Sequence, residues 1–147
     1  MLRLNKLTDY AVVILAQMSQ GNGARFTPAS LAAQTSVPEP TIAKILKDLT
    51  KSDLIVSYRG ATGGYALSRA GETISVRDVI EAVEGPISMV ECVDPASTCC
   101  TTEKKCPLRG RWDIVNTAII GELEKITLAD MVRPNLVKIG AASLAAE

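Results

Sequence analysis

Four cysteines, Cys92, Cys99, Cys100 and Cys106, fall within fifteen residues of a 147-residue chain that has no histidine. Thiols grouped this closely are a redox or a metal device, and the cellular compartment narrows the choice. The apolar run "YAVVILAQM" follows Asp9, has no small-residue cleavage site behind it and is too short to span a bilayer. A cytoplasmic protein with no membrane partner is therefore expected, in a compartment where thiols stay reduced. Reduced thiolates select zinc, copper(I) or an iron–sulfur cluster. The gaps between successive cysteines are six residues, none and five, so the chain lacks the Cys-x-x-Cys knuckle of structural zinc sites. Single cysteines spread along a loop suit a cluster, whose irons lie farther apart than the ligands of one zinc. Cys106-Pro107 also echoes the Cys-Pro that closes some ferredoxin runs. Lys104 and Lys105 favour a thiolate at Cys106, which keeps a metal-free thiol switch open beside the cluster and zinc.

The charge balance points to a partner for the other end of the chain. Residues 1–69 carry eight Lys/Arg against four Asp/Glu, a net +4, while residues 70–147 carry eight against twelve, a net −4. A basic N-terminal half inside a neutral chain suits a polyanion. Aromatic residues make up only 3% of the chain against 47% apolar residues in all, so the core must be aliphatic.

The elements that must position these groups follow from periodicity. Leu4, Leu7, Ala11, Ile14 and Met18 recur at steps of three and four, which predicts an amphipathic helix over residues 4–20. Thr27 and Pro28 open a second, short helix as N-cap and first residue. A third helix follows, with prolines confined to its first turn and Ile42, Ile45, Leu46 and Leu49 on its apolar face. "LIVSYRGATGGYALS" reads as a hairpin with a glycine-rich tip. Helix, short helix, turn, helix, hairpin is the order of a winged helix-turn-helix, so the fold class is mainly α with a small β-hairpin. The open face of the third helix presents Thr41, Lys44 and Lys47 behind Glu39 and Pro40. The wing presents Arg59 beside Gly60, Gly63, Gly64 and Tyr65. These are the candidate contacts to double-stranded DNA: lysines and arginines for phosphates, Thr41 for a base edge.

Ser75 and Asp78 form a capping box for a further helix, stopped by Gly85 and Pro86. No period is discernible from there to Pro107, and connections that long are usually functional or disordered. Leu108, Trp112, Val115, Ile119, Leu123 and Ile126 then step by three and four along one long helix. Its apolar seam exceeds what so small a chain can cover, so Trp112, Val115, Ile119 and Leu123 are expected to hold a homodimer. The expected division is residues 1–70 for DNA binding, 71–107 for a connecting helix and the cysteine loop, 108–128 for the dimerisation helix, and 129–147 for a C-terminal tail, whose end "GAASLAAE" is expected to fray. No Gly-rich nucleotide loop follows a strand and no histidine serves acid–base work, so neither an enzyme nor a small-molecule substrate is expected.

With these pieces assembled, "MLRLNKLTDYAV", "YRGATGGYALSRAGETISVRDVIEAVEGPI", the cysteine loop, "CPLRGRW" and "ITLADM" resemble the winged-helix regulators that include IscR, NsrR and RirA. Within that family the chain is most similar to the regulators of SUF-type iron–sulfur cluster assembly. The resemblance implies a homodimeric repressor holding a 2Fe–2S or 4Fe–4S cluster and binding an operator upstream of cluster-assembly genes. It maps three ligands onto Cys92, Cys100 and Cys106, because Cys100 keeps the family's five-residue gap to Cys106, and leaves Cys99 extra. Where one branch of the family has a histidine ligand, this chain has Arg109. In another branch the fourth ligand is an aspartate from the partner's first helix, which aligns with Asp9. The plainer role for Asp9 is a first-turn carboxylate complementing the helix dipole. Alternatives are a nitric-oxide- or thiol-sensing repressor and a zinc-stabilised DNA-binding protein.

Overall fold

The computed structural model describes residues 3–95, 97 and 105–133. Helix α1, Lys6–Gln20, starts where the Asn5 side chain accepts the Leu7 N–H at 2.7 Å. The start therefore falls two residues after Leu4, which is half exposed before the cap. Thr8, Ala11, Ile14, Leu15 and Met18 face inward. Helix α2, Pro28–Thr35, opens with Pro28 and a reciprocal box between Thr27 and Ser30. The turn after it is made by Ser36 in the left-handed region (φ 59°), Val37 buried, and Pro38. Helix α3, Glu39–Lys51, buries the expected Ile42, Ile45, Leu46 and Leu49. Strands β1, Ile55–Tyr58, and β2, Gly64–Leu67, pair antiparallel, with Ile55 opposite Leu67 and Tyr58 opposite Gly64. A two-stranded hairpin is marginal alone. Here Phe26 extends it by exchanging two 2.8 Å backbone hydrogen bonds with Tyr65.

Helix α4, Val76–Glu84, carries the expected Ser75–Asp78 capping box. Helices α5, Trp112–Lys125, and α6, Leu128–Val132, follow the cysteine segment. The entrances to α4 and α6 lie side by side. Val76 N–H donates to Ile126 C=O and Leu128 N–H to Ile74 C=O, both at 2.8 Å. Arg77 adds ion pairs to Glu81 at 3.2 Å and to Glu124 of α5 at 3.5 Å. The aliphatic core runs on past residue 70, because Ile74, Val79 and Leu128 join α1, α2 and α3 in one cluster.

Three expectations change at the C-terminal end. The helix expected from Leu108 begins at Trp112, after a run of turns in which Gly110 takes φ +70° and Leu108 is exposed. The C-terminal tail expected from residue 129 opens inside α6, which Thr127 and Asp130 cap reciprocally. The apolar seam is split: Trp112, Ile119 and Leu123 are half-buried, Val115 is 42% exposed, and the buried residue of α5 is Asn116. Residues 134–147 lie outside the described residues. No described helix is long and apolar enough to cross a membrane.

Candidate nucleic-acid interface and cysteine segment

Burying Ile42, Ile45, Leu46 and Leu49 forces the opposite face of α3 outward. Lys44 and Lys47 stand exposed there, with no ion-pair partner among the described residues, and Thr41 is half-buried at the first turn. Glu39 and Pro40 are exposed at the helix start. Lys51 differs, since it lies 3.8 Å from Asp48. The α3 face thus offers two unpaired ammonium groups and one hydroxyl.

The wing lies in sequence directly behind this helix. Gly60 takes φ +100° and Gly64 φ +143°. Gly63 donates its N–H to Gly60 C=O at 2.9 Å, and a Cβ on Gly63 would sit 2.5 Å from the Tyr58 carbonyl oxygen. The tip is closed that tightly because it has no side chains in the way. Arg59 is exposed at the tip's start; Tyr65 is half-buried on β2. Residue-by-residue reading missed Arg25. Its guanidinium lies 3.9 Å from the Tyr58 ring centroid and donates to Thr62 C=O at 3.0 Å. No signal in the sequence marked it, because the Phe26–Tyr65 pairing that brings it to the wing is itself a tertiary contact.

The described part of the cysteine segment is anchored at both ends. Glu84, the last residue of α4, accepts the Asn5 N–H at 3.0 Å and the Thr8 hydroxyl proton. This ties the exit of α4 to the start of α1, where Thr8 is fully buried. Asn116 does the same for α5, donating from Nδ2 to Ile87 C=O at 3.2 Å and accepting from Met89 N–H at 3.1 Å. Sequence reasoning missed Asn116, because an asparagine inside a helical apolar pattern reads as surface. Past this tie the chain makes a 3₁₀ turn, Glu91–Val93, packed on α5, and Cys92 is exposed on it. Cys106 is half-buried six residues ahead of α5. Both are free thiols. Cys99 and Cys100 lie outside the described residues. Asp9 is exposed in the first turn of α1. Among the described residues no group of three or more Cys, Asp or Glu side chains that could hold a metal forms.

The chain is similar to known proteins over most of its length. A family model described as Rrf2, an iron-dependent transcriptional regulator, matches residues 4–134. A Mycobacterium tuberculosis protein named as an HTH-type transcriptional regulator is 30% identical over 135 residues, covering 88% of this chain and 81% of its own. Among solved structures, CymR, the global cysteine regulator of B. subtilis, aligns with a TM-score of 0.67 at 28% identity, over 90% of this chain and 97% of its own. IscR of T. potens aligns with a TM-score of 0.62 at 29% identity, over 89% and 86%.

Proposed function

This chain belongs to the Rrf2 family of transcriptional regulators, and on that premise we propose that it is a homodimeric, cytoplasmic repressor of SUF-type cluster-assembly genes that senses an iron–sulfur cluster. The observation that carries the proposal is the fastening of the cysteine segment. Its stem is bonded to α5 through Asn116 and to α1 through Glu84. A change of state in the segment thereby reaches both the helix proposed for dimerisation and the DNA-binding core.

The free thiols of Cys92 and Cys106 fit the soft donor set of a cluster. Cys92, Cys100 and Cys106 would hold it, with Asp9 or Cys99 as the fourth ligand. In the reading that the family resemblance implies, the aspartate comes from the partner subunit, which makes the dimer part of the site. When bound, the group supplies a centre that gains or loses electrons and that oxidants dismantle. The chain's own residues do the rest. Trp112, Val115, Ile119 and Leu123, with exposed Ile114 beside them, form the dimer surface of α5. Lys44 and Lys47 of α3 meet phosphates, Thr41 meets a base edge, and Arg59 follows from the wing. Half-sites on DNA have fixed spacing, so a small rotation of one α3 against the other changes affinity. A full switch needs about 5.5 kcal/mol of differential binding between the two conformers.

The test is anaerobic purification followed by iron, sulfide and zinc analysis, visible absorption, and operator binding with and without the cluster. Stoichiometric iron and sulfide with cluster-dependent DNA affinity support the proposal. Colourless protein carrying stoichiometric zinc overturns it. The two free thiols, Cys92 and Cys106, favour one second function, thiol-based sensing without a cluster. Metal-free protein whose DNA affinity follows reversible thiol oxidation selects that alternative.

A further inference from the structure

The wing is held by more than its own two strands, and the holding residue lies outside it. Strands β1 and β2 have four residues each, and past Ile55 the outer residues Val56, Ser57 and Tyr58 of β1 are exposed. No packing fixes that half of β1. The tip between the strands contains Gly60 and Gly63, which add no stiffness of their own. The opposite strand is fixed by the pairing of Tyr65 with Phe26. Residue 25, next in the chain, reaches across to β1, whose outer half is paired to β2 but buries no side chain. The Arg25 guanidinium lies 3.9 Å from the Tyr58 ring centroid and donates to Thr62 C=O at 3.0 Å, inside the tip. Residues 25 and 26 therefore grip β2 by backbone and β1 with its tip by side chain. No ion pair to Arg25 is found among the described residues, and its ring contact and side-chain hydrogen bond both go to the wing.

We propose that Arg25 is a positioning residue for operator recognition: stacked on Tyr58 and bonded to Thr62, it sets the angle of the wing so that Arg59 meets the DNA in register with Lys44 and Lys47. The inference rests on the operator-binding part of the proposed function. A guanidinium stacked on an aromatic face is planar and keeps donors to spare, so lysine reproduces the charge but not the plate-on-plate contact. The opposing role is a direct phosphate contact, open to any exposed arginine. The two roles differ in what they couple to. A strut acts through Tyr58, whereas a phosphate contact acts through released counterions.

The experiment uses the full-length protein and a duplex enriched from a randomised pool by the wild type. Affinity is measured across a salt series for wild type, Arg25→Ala, Arg25→Lys, Tyr58→Phe, Tyr58→Ala and the Arg25→Ala/Tyr58→Ala double variant. The expected result is a loss of about tenfold in Arg25→Ala. The slope of log affinity against log salt should fall by no more than the single Arg59 contact that the wing delivers. Tyr58→Phe should bind as wild type, since the ring face remains, and Arg25→Lys should recover only part of the loss. In the Tyr58→Ala background, Arg25→Ala should add little. Wild-type affinity in Arg25→Ala overturns the inference. So do effects that add in full in the double variant, because an arginine that acts independently of Tyr58 is a direct phosphate contact. A pool from which the wild type enriches nothing overturns the operator-binding function itself, and this inference with it.

Discussion

Replacing Asn116 with alanine should loosen the cysteine segment and lower stability together, and the size of both effects follows from two hydrogen bonds. The side chain is 9% exposed. It accepts Met89 N–H at 3.1 Å and donates to Ile87 C=O at 3.2 Å. Each such bond contributes about 0.5–1.5 kcal/mol net, and a stranded buried backbone group costs about 1–3 kcal/mol. Ile87 and Met89 are only half-buried, so water reaches part of what the alanine strands. The expected loss is therefore about 2–3 kcal/mol, near the lower end of the combined range. For a chain of this length that lowers Tm by roughly 6–10 °C. Urea unfolding at fixed protomer concentration measures the first quantity, since dimer stability depends on concentration. Amide exchange at Met89 measures the second, and it should accelerate with the partner oxygen gone. Asn116→Asp keeps an acceptor for Met89 but sets a carboxylate oxygen against the Ile87 carbonyl, so it should fall between wild type and alanine in Met89 protection. If Asn116→Ala unfolds within about 0.5 kcal/mol of wild type and Met89 exchanges as before, the two bonds do not fasten the segment.

Other perturbations test other joints of the molecule. Lys47→Ala should weaken operator binding and lower the salt slope by about one phosphate contact, read from a salt titration; an unchanged slope places α3 away from the backbone. Val115→Lys should leave the single-chain fold intact, since Val115 is 42% exposed, yet sediment as a monomer; a persistent dimer moves the interface off α5. Gly63→Ala places a Cβ 2.5 Å from the Tyr58 carbonyl oxygen, so the tip must open, at a local cost of order 1–3 kcal/mol. Specific DNA affinity should drop while the core Tm holds, and equal losses for specific and random duplexes would refute a wing-specific effect. Asp130 accepts the Thr127 hydroxyl at 2.7 Å and N–H at 3.0 Å, and these bonds hold its carboxyl below the usual carboxylate range. Its contribution is present in full above the unfolded pKa of about 3.9 and is lost as pH falls through the lowered folded value. The stability gap between wild type and Asp130→Asn in urea should therefore close on acidification; a gap constant with pH refutes the assignment.

Much of the helical core was legible because its signals are local. Thr27-Pro28, Ser75-x-x-Asp78 and the four apolar residues of α3 each act within one helical turn. A periodic face needs no knowledge of what covers it. Arg25, Glu84 and Asn116 were not legible, because each works across more than twenty residues of chain: 37 from Arg25 to Thr62, 76 from Glu84 to Thr8, 29 from Asn116 to Ile87. Nothing in the spacing of a polar residue says which distant backbone group it will meet.

The α5 helix shows the boundary between the two kinds of information. Steps of three and four established that a helix with apolar surface stands near the C-terminus, as hydrophobic period alone can do. Its starting residue and its rotation were decided elsewhere. The turns around Gly110 carry the chain until Trp112, and the inward position goes to Asn116 because the unpaired Ile87 C=O and Met89 N–H needed its amide. Sequence determined the family, the winged fold and the residue types available for chemistry, since these rest on composition, periodicity and short motifs. Tertiary structure alone decided which surfaces remain open and which segments are tied together, because a buried polar group must find a partner and that partner can come from anywhere in the chain.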